Sequence, residues 1–577
     1  MNDAIDLPVE ATADNRLWGS DVVADTLRAL GIPYVALNPG ASFRGLHDSL
    51  VNRLGNRAPQ MLLCLHENAA VALAHGYAKA SGRPMAAILH SNVGLLNGAM
   101  GVFNAWADRA PILVIGATGP VDAAQRRPWI DWLHTMQDQG ALLRGYVKWD
   151  AQPASAEAAV EALLRAAQIM DRAPRGPVYI NLDAAMQERE LTRAVPVPDT
   201  ARYAPPPPVA PNPGLLAQAA TLLRGAARPA MLIGRGTTAA GWPARVALAE
   251  ALGAAVITDL KQPACFPTLH PLHVGAPGFT LAPAAEAALR TADVVLALDW
   301  VDLAGTLRAA RATGQVVNVS PDQRGHNGFA MDHQALPPAD LFFDNEPDAF
   351  VDALLPLLTP GARQPLREEA APSYTALDTA RLGAELRLAL AGRAAALLRV
   401  PLGWDAAAWP FAAPGDYLGY DGGGGIGSGP GMVVGAALAL RDAGDPRLPV
   451  AVTGDGDALM GLQALWTAAR HRVALLLVIA NNQSFYNDEV HQERVARERG
   501  RPVANKWIGQ AIRDPDPDFA TLARGLGCVG IGPAIGLDAW RAALAEGVAR
   551  VAAGETVVVD VRVLPGYTPS VARIIDD

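Results

Sequence analysis

Residues 450–482 read VAVTGDGDALMGLQALWTAARHRVALLLVIANN. An apolar run at 450–452 enters a GDGD turn at 454–457, and a second apolar run at 474–480 ends at two asparagines. Both runs are short enough to be buried strands, and the stretch between them has the composition of a helix. Strand, helix and strand in this order predict a parallel α/β sheet.

The same alternation extends outward through the whole chain. A proline-rich stretch at 205–213 and a weaker break at 359–372 divide it into three blocks of ordinary domain size. We therefore expect three open, mainly parallel α/β domains at residues 1–195, 210–358 and 373–577. In such sheets, ligands bind beyond the carboxyl ends of the strands. The predicted strands include 85–89, 112–115, 178–182, 231–233, 294–298, 316–319, 450–452, 474–479 and 557–561, and the helices 68–80 and 459–470.

Composition excludes several classes of protein. The 577 residues carry a formal net charge of -9, which supplies no broad field for nucleic-acid phosphates. Three widely spaced cysteines predict neither a disulfide scaffold nor a structural zinc site. The N-terminus carries acids where a secretory signal has basic residues, and no apolar stretch reaches the length of a membrane span. We expect a cytoplasmic protein.

The ends of the two strands in 450–482 carry oxygen ligands. Asp455 and Asn482 both follow apolar strands and are 27 residues apart, which fits one helix and one return strand. A hard cation such as Mg²⁺ binds carboxylate and amide oxygens and often shares ligands with a phosphate. Gly454 and Gly456 let a phosphate approach the backbone at a helix start. A lone GDG would be an ordinary tight turn, but the second polar strand end favours a Mg²⁺–diphosphate site.

This pattern resembles the signature of the thiamine-diphosphate-dependent enzyme family that includes benzoylformate decarboxylase and acetohydroxyacid synthase. The resemblance implies that Asp455, the Asn482 side chain and the Ser484 carbonyl hold Mg²⁺, which anchors the diphosphate. Asp457 stands where relatives often have Ser or Gly, so its carboxylate would turn away and leave only its N–H to the cofactor. Tyr486 stands where many relatives have Gly, so the loop after the metal ligands must differ.

A glycine run, DGGGGIG at 421–427, lies one strand–helix unit before the metal turn. By itself it indicates a flexible loop. Its position resembles the family segment that holds the middle of the cofactor. The resemblance implies that the Gly424 carbonyl accepts a hydrogen bond from the aminopyrimidine amino group, and that Ile426 bends the cofactor.

Near the N-terminus, CLHENAA at 64–70 is a strand that enters a helix of small residues. It resembles the family motif in which a glutamate, here Glu67, hydrogen-bonds the aminopyrimidine and promotes loss of the proton at C2 of the cofactor. The alternative is an acid at a helix N-terminus that merely interacts with the helix dipole.

Two histidines are candidate proton donors. The run 38–116 resembles benzoylformate decarboxylase, which implies that His90 transfers protons, a role that suits a group with a near-neutral pKa. His270, in CFPTLHP at 265–271, resembles a loop that supplies a second active-site histidine. Either histidine alone could be a hydrogen-bonded structural residue. Ala41 stands where that decarboxylase has a substrate-contacting serine, and Ser42 comes one position late.

Three further segments keep alternative interpretations. In 126–139, His134 or Gln137 faces the cofactor, or the segment is a dimer-interface loop. GRG at 234–236 is a weak nucleotide signal; the resemblance allows FAD or ADP in this domain, and we expect none. The charged stretch 488–513 is a solvated helix or a mobile lid.

The expected function is thiamine-diphosphate- and Mg²⁺-dependent loss of CO₂ from a small-molecule 2-oxo acid, with or without carboligation to an aldehyde or ketone. The alternatives are an acetohydroxyacid-synthase-like, acyloin-forming ligase and a non-catalytic thiamine-diphosphate-binding protein. The resemblance also implies that each site lies between the first domain of one subunit and the third domain of another. The smallest assembly that could form such a site is a homodimer, and we expect a homotetramer.

Overall fold

The computed structural model describes residues 6–9, 16–322, 336–368 and 373–566. It contains three separate sheets in which neighbouring strands run parallel. This confirms the predicted architecture of three parallel-sheet α/β domains. The exact domain boundaries stay predictions, and residues 1–5, 10–15, 323–335 and 567–577, which the predicted domains include, lie outside the described residues.

The first sheet has six strands in the order β2-β1-β3-β4-β6-β5. Its central strands are buried along their whole length because helices cover both faces. The strands are β1 Tyr34–Leu37, β2 Gln60–Leu63, β3 Met85–Leu89, β4 Ile112–Thr118, β5 Asp150–Ala151 and β6 Val178–Asp183, and the helices are α1 Gly19–Ala29, α2 Arg44–Asp48, α3 Glu67–Ser81, α4 Ser91–Ala107, α5 Ile130–Leu133, α6 Ala156–Asp171 and α7 Ala184–Gln187.

The middle sheet has five strands in the order β11-β10-β9-β7-β8. Proline begins three of its helices, where the missing N–H costs no hydrogen bond. The strands are β7 Pro229–Ile233, β8 Ala255–Ile257, β9 Val294–Leu298, β10 Gln315–Val319 and β11 Leu341–Phe343, and the helices are α8 Pro213–Gly225, α9 Trp242–Leu252, α10 Pro283–Thr291, α11 Leu303–Ala310 and α12 Pro347–Leu354.

The third sheet has five strands in the order β12-β13-β14-β16-β15. The strands are β12 Ala395–Arg399, β13 Leu448–Gly454, β14 Leu475–Asn481, β15 Val529–Ala534 and β16 Thr556–Arg562, and the helices are α13 Thr379–Ala389, α14 Gly429–Asp442, α15 Asp455–Gly461, α16 Ala464–Arg470, α17 Tyr486–Glu498, α18 Phe519–Gly525 and α19 Leu537–Ala552.

The helix expected at 459–470 is two helices, α15 and α16, and α15 begins directly at Asp455. The chain turns after Gly461, where the helix lies against the glycine run: a Cβ at Gly461 would be 2.3 Å from the Gly427 carbonyl oxygen. Only glycine permits this approach, so the helix end is set by a tertiary contact rather than by propensity.

One hydrophobic core joins the first and third domains. It includes side chains from both sheets and from the two helices between them, α3 and α14, such as Leu73, Ala87, Val433 and Leu477. The three cysteines are buried and free. Within the described ranges, no helix combines the length and the apolar character needed to cross a bilayer.

Candidate active site

Helices α3 and α14 cross at glycines, which bring the first and third domains of one chain into contact. A Cβ at Gly76 would lie 2.0 Å from the Met432 carbonyl oxygen, and one at Gly435 would lie 1.9 Å from the Leu73 carbonyl oxygen. The backbones are therefore closer than any side chain would allow. The crossing places the N-terminus of α3, with Glu67, beside the glycine run that precedes α14.

Glu67 is the first residue of α3, and its side chain is buried at this contact. The preceding residue, His66, caps the helix by accepting from the Asn68 N–H at 3.0 Å. Glu67 Oε2 accepts from Asn97 Nδ2 at 3.1 Å, and its Oε1 lies beside Gly94 in α4. One carboxyl oxygen is thus held by α4, and the other remains for a ligand.

The glycine run is held by the first domain. Asn104 Nδ2 in α4 donates to the Gly425 carbonyl oxygen and to Ser428 Oγ, both at 3.0 Å, and its Oδ1 accepts from the Gly425 N–H at 3.3 Å. Gly424 has φ +69°, a conformation that favours glycine. Ile426 is only partly buried. The structure therefore brings Glu67 and the Gly424–Ile426 segment to the same helix, α4.

This meeting occurs within a single chain, whereas the resemblance implied that two subunits build each site. The contact buries a continuous apolar core, so one chain holds both halves together. The oligomeric state itself stays a prediction.

Asp455 and Asn482 converge at the carboxyl ends of β13 and β14. The Ser484 N–H donates to Asp455 Oδ2 at 3.2 Å and to Asn482 Oδ1 at 3.0 Å, so the two side-chain oxygens share one donor. Burial raises the pKa of the Asp455 carboxyl to about 6, against the effect of the backbone N–H groups of Gly456, Gln483 and Ser484. A buried carboxylate of this kind gains a partner when a cation binds.

The donor set fits Mg²⁺, because a carboxylate, an amide oxygen and a backbone carbonyl are all hard oxygen ligands. Within the described ranges, no group of three or more His, Cys, Asp or Glu side chains is arranged to hold a metal. The metal role of Asp455, Asn482 and Ser484 stays a prediction.

Asp457 does not face the metal ligands. Its carboxylate accepts from the Gly427 N–H at 2.6 Å and pairs with Arg399 at 2.8 Å. Thr453 Oγ1 adds a third hydrogen bond, at 2.9 Å. The carboxylate is thus turned toward the glycine run, and only the Asp457 backbone remains to a diphosphate.

His90 lies at the carboxyl end of β3, just before α4. Its Nδ1 is 2.8 Å from Ser42 Oγ, and its ring contacts the His134 ring edge to face at 4.7 Å between centroids. Burial lowers the pKa of His90 below its ordinary value, and His134 lowers it further, whereas Glu67 acts in the opposite direction. Gln137 is exposed. Of the two open candidates in this segment, His134 is the one beside His90.

His270 does not join the residues around Glu67 and His90. It is buried in the middle domain, where its Nε2 is 3.2 Å from Glu250 Oε1 and its Nδ1 accepts from the Leu272 N–H. Both ring nitrogens are engaged by the middle domain, which suits a structural histidine. Its catalytic role stays a prediction that this placement does not support.

Arg235, from the GRG segment, joins a buried ion cluster rather than an open cleft. It lies 3.2 Å from Asp322 and 3.5 Å from Asp299, and Arg109 of the first domain pairs with both acids. Arg235, Asp299 and Asp322 follow the carboxyl ends of β7, β9 and β10, where a nucleotide would bind in such a sheet. That FAD is not bound stays a prediction.

The charged stretch forms α17 and a returning segment. No side chain of α17 is buried, as expected for a solvated helix. The returning segment pairs with the loop after β14, because the Phe485 N–H donates to the Gln510 carbonyl and the Ile512 N–H donates to that of Gln483. Lys506 also pairs with Glu493 of α17. A lid motion stays a prediction.

Sequence reasoning missed Asn97 and Asn104. Both lie on α4, seven residues apart, and therefore on one face of the helix. One holds Glu67 and the other holds the glycine run. Two polar side chains at this spacing, in a helix that is otherwise rich in small and apolar residues, were the available signal.

Comparison with known proteins agrees with this geometry. Family models for thiamine pyrophosphate enzymes match three parts of the chain. Thiamine pyrophosphate is another name for thiamine diphosphate. The three matched parts are the N-terminal binding domain at residues 17–142, the central domain at 216–328 and the C-terminal binding domain at 402–561.

Relatives match along most of the chain. A benzoylformate decarboxylase of Pseudomonas aeruginosa is 29% identical over 506 residues, covering 81% of this chain and 85% of the relative. A probable 2-ketoarginine decarboxylase of the same organism is 30% identical over 513 residues, 84% of each chain. A probable acetolactate synthase of Oryza sativa is 25% identical over 559 residues, 88% of this chain and 78% of the relative.

The benzoylformate decarboxylase structure from Polynucleobacter necessarius shares the fold, with a TM-score of 0.79 at 19% identity, covering 96% of this chain and 99% of that one. The three matched domains and the length of the alignments lead to one conclusion. The chain belongs to the thiamine pyrophosphate enzyme family.

Proposed function

We propose that this chain is a 2-oxo acid decarboxylase that uses thiamine diphosphate and Mg²⁺. The observation that carries the proposal is that Asn97 and Asn104 of α4 hold Glu67 and the glycine run 421–427 beside one another. The names of two relatives, a benzoylformate decarboxylase and a probable 2-ketoarginine decarboxylase, support the reaction class.

The residues after β13 and β14 and those of the glycine run fit this cofactor. Asp455, Asn482 and Ser484 would hold Mg²⁺, and Gly454, Gly456 and the Asp457 N–H would lie toward the diphosphate. Gly424 and Ile426 would contact the middle of the cofactor. When bound, thiamine diphosphate supplies a carbon nucleophile for the 2-oxo carbonyl and accepts the electrons that remain when CO₂ leaves.

The chain itself supplies proton transfer at two places. Asn97 holds Glu67 Oε2, which leaves Oε1 as the oxygen that exchanges a proton with a ligand. Ser42 holds His90 Nδ1, which leaves Nε2 to deliver a proton to the product. A histidine donor favours decarboxylation, because protonation completes the release of an aldehyde.

A second candidate is an acetolactate-synthase-like ligase. It is favoured by the match to the Oryza sativa relative, which extends over 88% of this chain. In that reaction a second carbonyl compound, rather than a proton, traps the product of decarboxylation. Pyruvate would then give an acyloin instead of acetaldehyde.

The test is incubation of the purified full-length chain with thiamine diphosphate, Mg²⁺ and a panel of aliphatic, aromatic and guanidino 2-oxo acids. We expect CO₂ and the matching aldehyde from at least one of them, and no CO₂ when the cofactor is omitted. Acyloin as the main product from pyruvate would favour the ligase. No CO₂ from any member of the panel would contradict both.

The matched variant is Glu67→Gln, which keeps the shape of the side chain and its contact with Asn97. We expect kcat to fall by about 10²–10⁴-fold, because the carboxyl proton is lost, with cofactor affinity nearly unchanged. The control is Glu161→Gln, at an exposed position of α6. Equal turnover in Glu67→Gln and wild type would refute the role of Glu67.

A further inference from the structure

Two buried carboxylates accept hydrogen bonds from the backbone of the glycine run. Asp421 Oδ1 accepts from the Gly424 N–H at 2.7 Å. Asp457 Oδ1 accepts from the Gly427 N–H at 2.6 Å and lies 3.4 Å from that of Gly429. The backbone on each side of Ile426 is thus held by a charged acceptor, and hydrogen bonds to such acceptors are stronger than neutral ones.

Both carboxylates bind the same guanidinium. Arg399, the last residue of β12, places Nη1 2.9 Å from Asp421 Oδ2 and Nη2 2.8 Å from Asp457 Oδ2. Arg399 Nε also donates to Asp457 Oδ2 at 3.0 Å. The side chains of Arg399, Asp421 and Asp457 are 2%, 0% and 7% exposed, so water does not compete for these bonds.

One further contact holds the guanidinium, and another holds the Asp457 carboxylate. The Arg399 Cζ lies 4.6 Å from the centroid of the Tyr420 ring, and Thr453 Oγ1 donates to the same Asp457 oxygen. The network therefore spans the ends of β12 and β13, the first turn of α15 and the glycine run. A planar guanidinium can serve two carboxylates at once, which an ammonium cannot do with the same geometry.

We propose that Arg399, Asp421 and Asp457 form a loop frame that positions Gly424 and Ile426 against the cofactor. The Asp457 carboxylate is a positioning group in this frame and not a ligand of the diphosphate. The inference rests on the proposed function for the cofactor, but the frame itself belongs to the chain. Since Asp457 lies two residues after Asp455, the frame also ties the glycine run to the metal turn.

The frame makes a measurable difference without any cofactor. If it holds the run, then Asp457→Asn, which keeps the size of the side chain and removes its charge, weakens the hydrogen bonds of the Gly427 and Gly429 N–H groups. A carboxamide has a single acceptor oxygen, which cannot serve both these N–H groups and the donors Arg399 and Thr453. We expect amide hydrogen exchange in a peptide covering 421–429 to accelerate by about tenfold or more. Arg399→Lys is expected to accelerate it as well. The control is Asp445→Asn, which weakens a partly exposed pair with Arg447 elsewhere in the third domain.

The second measurement uses the full-length holoenzyme. Asp457→Asn should lower kcat by about tenfold or more, while the Kd for thiamine diphosphate with Mg²⁺ changes by less than about threefold. A merely structural role would lower the stability of the chain without this split between kcat and Kd.

Three outcomes are decisive. Unchanged exchange at 421–429 in folded Asp457→Asn overturns the frame, and this holds even if Arg399→Lys does not fold. A large loss of cofactor affinity with unchanged exchange overturns the positioning role and makes Asp457 a cofactor ligand. A wild-type chain that does not bind thiamine diphosphate overturns the proposed function, and with it the cofactor half of the inference, whatever the exchange data show.

Discussion

At the scale of single residues, the ring of His90 shows how neighbours set a proton donor. Ser42 fixes one ring nitrogen, and His134 stands edge to face against the ring. The charged groups that act on His90 are His134, Glu67 and Arg127. Two of them, His134 and Arg127, act with burial to lower its pKa, so the imidazole loses its proton more readily than an exposed one.

Replacement of His134 by Asn should raise the pKa of His90. A general acid works only while it is protonated, so its contribution is lost as the pH rises through its pKa. The alkaline limb of the kcat profile should therefore move to higher pH in His134→Asn, measured on whichever 2-oxo acid the panel identifies. His47→Asn, at an exposed position, is the control. A limb that stays in place or moves to lower pH would contradict the coupling.

Ser42 illustrates a residue whose role depends on backbone geometry. In the sequence it stands one position after the expected serine. The short 3₁₀ turn at Ala41–Phe43 directs its hydroxyl to His90 Nδ1 and to the Ser91 N–H. A shift of one position in a motif thus moves the serine from the expected substrate contact to the support of the histidine.

At the scale of elements, the crossing of α3 and α14 depends on the absence of side chains. Gly76 and Gly435 each lie against a backbone carbonyl of the other helix. Glycine lowers helix propensity, but here it permits a contact that no other residue would allow. The crossing then sets the distance between Glu67 and the glycine run.

Gly435→Ala should be strongly destabilising, because the added methyl group would overlap the Leu73 carbonyl and force the helices apart. We expect the free energy of unfolding to fall by about 3 kcal/mol, as for other overpacked cores. The matched control is Gly225→Ala at the end of α8, where a Cβ meets nothing within 4 Å. Chemical denaturation of both variants measures the difference, and an equal effect of the two would contradict this account.

At the scale of the whole molecule, residues 108 and 109 join the three domains. Asp108, just beyond α4, pairs with His75 and Lys79, and Lys79 also donates to the Tyr420 carbonyl of the third domain. Arg109 pairs with Asp299 and Asp322 of the middle domain. The end of one helix therefore anchors the first domain to both of the others.

Arg109→Met should loosen the middle domain, because Asp299 and Asp322 would lose one of the two buried arginines that they share. Loss of one member of a buried ion cluster costs about 3–5 kcal/mol. We expect a lower melting temperature and a separate early transition in calorimetry. Arg193→Gln, which removes an exposed pair with Glu157, should change little and serves as control. A single unshifted transition in Arg109→Met would contradict the role of the junction.

Local pattern was sufficient for much of this architecture. The apolar runs predicted three parallel sheets, because the periodicity that distinguishes a strand from a helix depends on residues that are neighbours in the sequence. The places of Asp455 and Asn482 at strand ends, and of Glu67 at the start of a helix, followed for the same reason. The exact start of α15 and the break after Gly461 did not, since both depend on what packs against them.

The partners of the site residues are the part that only folding settled. Asn104 reaches Gly425 across 321 residues of chain, and Arg399 reaches Asp457 across 58. Ser42, His90 and His134 likewise come from three separate segments. Such pairs arise where helices and sheets pack, and packing depends on shape and volume at long range, which no local pattern of residues encodes.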